Sequence, residues 1–322
     1  MEQILTLARE AEPSSSRTQA YADLLRRLAA LGYRFVTPTP ATHTRVVARS
    51  GRERAQTLDD VLGWSLPFEP ALIPADILGA LDTAGAIEHR DDGLLKATVR
   101  VSRVHDILFI HSAFPTLAAD AVFLGPDSYR FADYIAAKAR RTPGSRVLDY
   151  GAGAGVGGIT AAAAIPGSTL TLADVNPKAL FLAAINAEVA DVTHATVEAR
   201  SPSDVGGAFD LIVTHPPFMM DEGKRAYRDG GDLYGARLSL DWVLAGVKKL
   251  APGGQLIIHT GISIVHGRDL FHEAVTAALG GAGWAIDYHE LDHDIFSEDL
   301  DQPAYAEVDR IAAVGMCVTR TD

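Results

Sequence analysis

Three alternate glycines, Gly151, Gly153 and Gly155, follow the apolar run Arg146-Val-Leu-Asp-Tyr150 and precede an alanine-rich stretch. A buried strand entering such a loop lets the main chain turn tightly and approach a ligand closely. The helix that follows offers free N–H groups at its first turn. That combination suits a nucleotide cofactor, and spacing separates the candidates. A dinucleotide fingerprint needs glycine at the sixth position counted from Gly151, where Val156 stands. The carboxylate of Asp149, just ahead of the loop, would repel a pyrophosphate but could pair with an ammonium group, such as the α-amino group of S-adenosylmethionine. A second carboxylate, Asp174, lies 25 residues after Asp149 in Leu172-Ala-Asp-Val-Asn176. At the tip of a strand it can take both hydroxyls of a ribose.

A second chemical cluster closes the run Asp210-Leu-Ile-Val-Thr-His-Pro-Pro-Phe218. The imidazole of His215 accepts one hydrogen bond when neutral and can take a proton near neutral pH. Pro216 and Pro217 donate nothing to a sheet ladder. They stiffen the turn and are expected to aim Phe218 outward, to stack on a flat substrate or lie against a methyl-bearing cation. Residues 219–235, MMDEGKRAYRDGGDLYG, read as a loop closing over substrate. Within it Lys224, Arg225, Tyr227 and Arg228 are candidates to recognise a carboxylate or phosphate on the acceptor. His259, His266, His289 and His293 match no metal-ligand spacing, so no metal is expected. The acidic run Asp292–Asp301 reads as a solvated face.

The elements that must position these residues are legible as an alternation. Strand-like runs cover 146–150, 169–174, 195–199, 210–214, 255–260, 284–291 and 311–319, and helix-length segments cover 155–165, 177–190, 233–250 and 268–281. Strands alternating with helices indicate a Rossmann-like α/β domain, here a seven-stranded, mainly parallel sheet with helices on both faces. No helical pattern separates the last two strands, so the final strand is expected to pair antiparallel. Ahead of this lies a smaller α+β domain, residues 1–118, with 119–322 forming the α/β domain. In it Tyr21, Leu24, Leu25, Leu28 and Leu31 recur at helical spacing up to Gly32. Thr57 and Asp60 form a capping-box pattern, Pro74 opens another helix, and 97–101 with 107–110 suggest a two-stranded ribbon. The pattern is winged-helix-like, and Arg45, Arg49, Arg52 and Arg54 make a local basic cluster. Recognition of substrate and service as a lid are both open to such a unit.

These residues together resemble class I S-adenosylmethionine-dependent methyltransferases, a likeness covering most of 119–322. His215-Pro-Pro-Phe218 is similar to the Asn/Asp-Pro-Pro-Tyr/Phe motif of the small-domain members, which methylate ribosomal RNA bases or protein glutamine. Phe123-Leu-Gly-Pro-Asp-Ser-Tyr129 resembles the segment those enzymes lay over the methionine end of the cofactor. The resemblance implies a cofactor, S-adenosylmethionine, held by Asp127, Ser128, Asp149, Tyr150, Gly151, Gly153, Gly155, Asp174, Val175, Asn176, Ser201 and His215. It implies a catalytic segment of His215, Pro216, Pro217 and Phe218, with Phe218, Tyr227 and Arg228 touching the acceptor. The departure is His215, where the family has Asn or Asp. A single imidazole lone pair weakens the inference to a planar amide and leaves room for an acceptor that must lose a proton.

Composition bounds the rest. The chain has 322 residues, 48% hydrophobic and 22% charged, a balance suited to two packed domains. Its net charge of −12 is uneven, with −1 over 1–118 and −11 over 119–322. Such an acidic domain is a poor general partner for a phosphate backbone. The expected acceptor is therefore a nitrogen of a small molecule or protein, with an RNA base as the rival enzyme reading. A cofactor-binding regulator without turnover is the rival from another class. No apolar run is long enough to span a bilayer, no secretory pattern opens the sequence, and Cys317 is the single cysteine. A cytoplasmic location is the simplest expectation.

Overall fold

The computed structural model describes residues 2–221, 228–281 and 283–322, with side chains described from residue 15 onward. Two compact units emerge, one of residues 1–117, 122–126 and 185–190, the other of 118–121, 127–184 and 191–322.

The first unit opens with α1 (Glu2–Ala30), followed by α2 (Pro40–Val47), α3 (Leu58–Leu62) and α4 (Ala75–Thr83). Tyr21, Leu24, Leu25 and Leu28 bury one face of α1, whereas Leu31 is 47% exposed. The apolar stripe therefore ends at Leu28; the helix stops at Ala30, and Gly32 at φ +70° turns the chain just beyond Leu31. Thr57 and Asp60 form the expected capping box on α3. Two separate antiparallel ribbons follow, where the sequence suggested one. They are β1 (Ile87–His89) with β2 (Leu95–Ala97), and β3 (Val99–Val104) with β4 (Ile107–Ser112). Within the basic cluster, Arg52 pairs with Asp60 at 2.8 Å and lies over Trp64, and Arg54 pairs with Glu69 at 3.0 Å.

The second unit contains α5 (Pro126–Lys138), β5 (Arg146–Tyr150), α6 (Val156–Ala163), β6 (Thr169–Asp174), α7 (Pro177–Val189), β7 (His194–Glu198) and β8 (Phe209–Thr214). It continues with α8 (Arg237–Val247), β9 (Leu250–Val265), β10 (Arg268–Asp269), α9 (Leu270–Leu279), β11 (Trp284–Asp292) and β12 (Val308–Arg320). The sheet order is β11-β12-β9-β8-β5-β6-β7. From β9 to β7 every pair is parallel, and β12 runs antiparallel to both its neighbours, as the missing final helix implied. The two-residue β10 folds back on β9 and makes the sheet eight-stranded rather than seven-stranded.

Strand β9 begins five residues earlier than its apolar run because Ala251-Pro-Gly-Gly254 is absorbed as a register shift. Phe209 pairs with Leu250, and Leu211 next pairs with Gln255. The central strands read as nearly continuous apolar runs because both faces are covered. Val147, Leu148, Leu172, Val213, Leu256, Ile257 and Ile258 are all fully buried. In this order β5 sits between β6 and β8, so the chain's direction of winding reverses there. The carboxyl ends of β5 and β8 flank this switch point, the usual ligand site of open α/β sheets.

Candidate active site

The glycine loop at the carboxyl end of β5 holds Gly151, Gly153 and Gly155 at φ +70°, +54° and +81°, left-handed conformations that favour glycine at each. Their surroundings differ. A Cβ on Gly151 would come within 2.5 Å of the Trp242 ring, and one on Gly155 within 2.8 Å of Ile159. A Cβ on Gly153 would meet nothing within 4 Å. The loop is thus packed at its two ends and open at its middle, where a ligand can reach the main chain.

Two carboxylates brace this loop. Asp149 is 2% exposed and accepts from the Gly158 N–H of α6 at 2.7 Å. Burial, with Asp174 adding a smaller push, raises its carboxyl to about 8, against the pull of that hydrogen bond. Asp174 accepts from Gly153 N–H at 2.9 Å through one oxygen and from Asn176 N–H at 2.9 Å through the other. Each oxygen keeps a further lone pair for a hydroxyl. Burial also raises Asp174 above the ordinary carboxylate range. Val175, next along, is 49% exposed and offers an apolar face beside that carboxylate.

Other residues expected at the cofactor are partly engaged. Asn176 accepts from Lys178 N–H at 3.0 Å, capping the start of α7, and donates to the Asp120 carbonyl at 2.9 Å. Ser201 accepts from Ser203 N–H at 3.1 Å, which commits one lone pair to a short helical turn. The Tyr150 side chain belongs to the core, edge-on to Trp242 at 4.5 Å between centroids, so only its main chain is left at the switch point; its carbonyl accepts from the Thr214 hydroxyl at 2.8 Å.

His215 follows β8, one strand across from the glycine loop. Its Nδ1 lies 2.8 Å from the His259 carbonyl and 3.1 Å from His259 Nδ1. A carbonyl can only accept, so His215 carries its proton on Nδ1 and its free lone pair on Nε2. Burial holds this imidazole below its usual range, which keeps it neutral at pH 7, while Asp127 and the His259 carbonyl pull the other way. Phe131 of α5 stacks on the His215 ring at 5.6 Å and Phe218 tilts against it at 5.8 Å. Asp127, 3% exposed in the first turn of α5 beside Ser128, bonds Arg130 at 3.0 Å, and Arg130 bonds Asp292 at 2.8 Å.

Several acceptor-side expectations need correction. Phe218 does not point outward; it is 9% exposed and packs with Met219, Ile295, Tyr305 and Ile311. A Cβ on Gly261 would come within 2.3 Å of its ring, so β9 uses glycine to admit it. Arg228 is paired with Asp299 at 2.6 Å and lies 3.6 Å from Asp221. The acidic run is not simply solvated, since Asp299 is 6% exposed and Asp292 anchors Arg130. Lys224, Arg225 and Tyr227 lie outside the described residues. The sequence reading passed over Arg130, Phe131, Trp242 and the role of His259, none of which belongs to a local motif.

Residues 132–260 match the family model described as the methyltransferase small domain. The chain resembles the release factor glutamine methyltransferase of Deinococcus radiodurans, 32% identical over 152 residues, covering 45% of this chain and 53% of that one. It also resembles the enzyme of the same description from Chlorobaculum tepidum, 37% identical over 101 residues, covering 29% and 34%. The chain therefore spans about half the length, or less, of these relatives. Among solved structures, a ribosomal protein L11 methylase from Lactobacillus delbrueckii matches with a TM-score of 0.43 and 20% identity, covering 62% of this chain and 81% of that one. Among the described residues no helix is long and apolar enough to cross a membrane.

Proposed function

We propose that this chain is an S-adenosylmethionine-dependent methyltransferase acting on a nitrogen of a small molecule or protein. The observation that carries the reading is the open main chain at Gly153, bracketed by Asp149 and Asp174 and following the strand that neighbours the one ending at His215. These residues fit the cofactor. Asp174 has lone pairs for the ribose, Val175 an apolar face for adenine, and Asp149 a carboxyl that a nearby cation would ionise. Bound there, S-adenosylmethionine supplies a methyl group already activated by its sulfonium charge.

The protein's part is alignment. The loop and Asp174 fix one reactant, and His215 with the neighbouring rings orients the other, which converts a collision into an in-line approach. No metal is needed for this chemistry. The acidic surface of residues 119–322 favours a small molecule or protein over RNA.

Calorimetric titration with S-adenosylmethionine, S-adenosylhomocysteine and NAD tests the cofactor. Micromolar binding of the first two and none of the third is expected, and absence of both adenosyl ligands overturns the reading. Labelled-methyl transfer to metabolite, protein and RNA fractions then sorts the acceptor class. Label confined to RNA, with binding that falls steeply with salt, would replace a small molecule or protein by RNA.

A further inference from the structure

We propose that His215 and His259 form a proton-accepting pair, and that the methyl acceptor is an aliphatic amine that arrives as an ammonium ion. The inference rests on the methyltransferase reading above. His259 lies in β9, whose parallel register with β8 pairs Thr214 with Ile258 and so sets the two histidines side by side. Their ring centroids are 4.8 Å apart, and His259 is fully buried. With the His215 Nδ1 proton directed at its carbonyl and ring nitrogen, neutral His259 carries its own proton on Nε2. That buried nitrogen meets no hydrogen-bond partner among the described residues. An unsatisfied buried donor is unfavourable, and an aliphatic side chain would fill the same place without it. What the imidazole adds is an acceptor beside His215 Nδ1 that holds that N–H when His215 is protonated, while burial, His215 and Arg130 keep His259 itself neutral.

The charged groups around the pair come from two elements. Asp127 and Arg130 belong to α5, and Asp292 ends β11. Two carboxylates face one guanidinium, and the rings of Phe131 and Phe218 flank His215. Such surroundings attract a cation. A carboxamide fits less well, since it presents two N–H donors to the one lone pair on Nε2 and has no proton to lose before transfer. For an amine the balance is simple. R–NH3+ gives one proton to His215 Nε2, leaving R–NH2 and a His215 imidazolium whose Nδ1–H is accepted by His259. The freed nitrogen lone pair then forms the N–CH3 bond as the S–CH3 bond breaks and its electrons stay on sulfur. The products are a methylated ammonium and a neutral thioether. His215 is the catalytic residue here, and His259 positions it.

The probe is an S-adenosylmethionine analogue that bears a primary amine on carbon where the sulfonium bears its methyl, compared with S-adenosylhomocysteine. The wild-type protein should bind the amine analogue about tenfold more tightly at pH 7.5, the scale of one charge-assisted hydrogen bond. His215→Ala should remove that preference, read as the ratio of the two affinities in the variant against the same ratio in the wild type. The preference should also fade as the pH falls through the titration of His215, below about 6.5. His259→Leu should move that midpoint to lower pH, because the imidazolium loses its neighbour. His259→Gln, whose carboxamide oxygen can replace Nδ1 as acceptor, should move it less. A preference that survives His215→Ala, or a midpoint that neither His259 variant moves, overturns the proposal. Binding of S-adenosylhomocysteine with no preference for the amine also sinks it while sparing the cofactor reading; binding of neither ligand sinks both.

Discussion

The two ends of the candidate site are built by different means. At the cofactor end the main chain does the shaping. Gly151, Gly153 and Gly155 take left-handed conformations, and the carboxylates of Asp149 and Asp174 accept from backbone N–H groups within the loop and α6. At the acceptor end, side chains from α5, the end of β8, β9 and β11 meet around His215, and little main chain is exposed to shape. The first kind of site is rigid and indifferent to what lies across from it. The second depends on strand register and on which side chain each neighbouring element presents, so it is where specificity can change without disturbing the fold.

The largest expected effect tests that separation directly. His215→Ala should lower turnover by about 10²–10⁴-fold, the usual span for a lost acid–base group. Calorimetry on the same variant should give cofactor affinity within about twofold of wild type, since the backbone-built end is untouched. Full activity, measured by labelled-methyl transfer to whichever fraction the wild type labels, would remove His215 from the mechanism. A large loss of cofactor affinity would show that the two ends are not separable.

Next in size is a stability effect at the packed edge of the loop. Gly151→Ala must hold a left-handed conformation, and its Cβ would meet Trp242 at 2.5 Å. Left-handed strain and overpacking together should cost about 2–4 kcal/mol in urea unfolding. Trp242→Leu should relieve the overpacking part but not the strain, so the double variant should lose less than the two single losses combined. Simple additivity would mean that Trp242 does not limit the loop.

Asp174→Asn follows. Asn has one acceptor oxygen where Asp174 now takes both Gly153 N–H and Asn176 N–H, so one loop bond is lost along with the charge facing the ribose. Cofactor affinity should weaken about tenfold to a hundredfold by calorimetry. Unchanged affinity would place the ribose elsewhere.

How much of this was legible in the sequence follows the same division. The loop could be read because glycine is demanded locally: the spacing of Gly151, Gly153 and Gly155, the strand before them and the helix after them all lie within one stretch. The sheet was readable for the same reason, since strands buried on both faces are apolar runs. Strand β9 was read short because Pro252 and two glycines resemble a turn, and only pairing with Phe209 and Leu211 reveals a bulge. His259 was visible as a residue but not as a partner, because its role comes from a register that no local pattern encodes. Phe218 was expected outside because the double proline fixes a turn, yet where the ring lands depends on Gly261 in another strand leaving room for it. The ion pair of Arg228 could not be read because its partner, Asp299, lies 71 residues away in an acidic run that looked solvated.

The smallest signal is a proton count, and it bears on Asp149 at the cofactor end. Burial lifts the Asp149 carboxyl to about 8, whereas an unfolded chain ionises it near 4. Between those values the folded protein holds a proton that the unfolded chain has lost. The contribution of Asp149 to stability is therefore fully present below about pH 4, falls as the pH rises, and is gone above about 8. Asp149→Asn should flatten that part of the stability profile. Binding a ligand whose ammonium or sulfonium lies near Asp149 reverses the balance, because a cation favours the carboxylate and drives the proton off. At pH 7 S-adenosylmethionine binding should release a substantial fraction of one proton, read as the dependence of the calorimetric heat on the buffer's ionisation enthalpy, and Asp149→Asn should abolish the release. S-adenosylhomocysteine keeps the ammonium and lacks the sulfonium. Equal release by the two ligands would place the ammonium at Asp149, and release by S-adenosylmethionine alone would place the sulfonium there instead. Release that persists in the Asn variant would assign it to Asp127 or Asp174, whose carboxyls burial also raises.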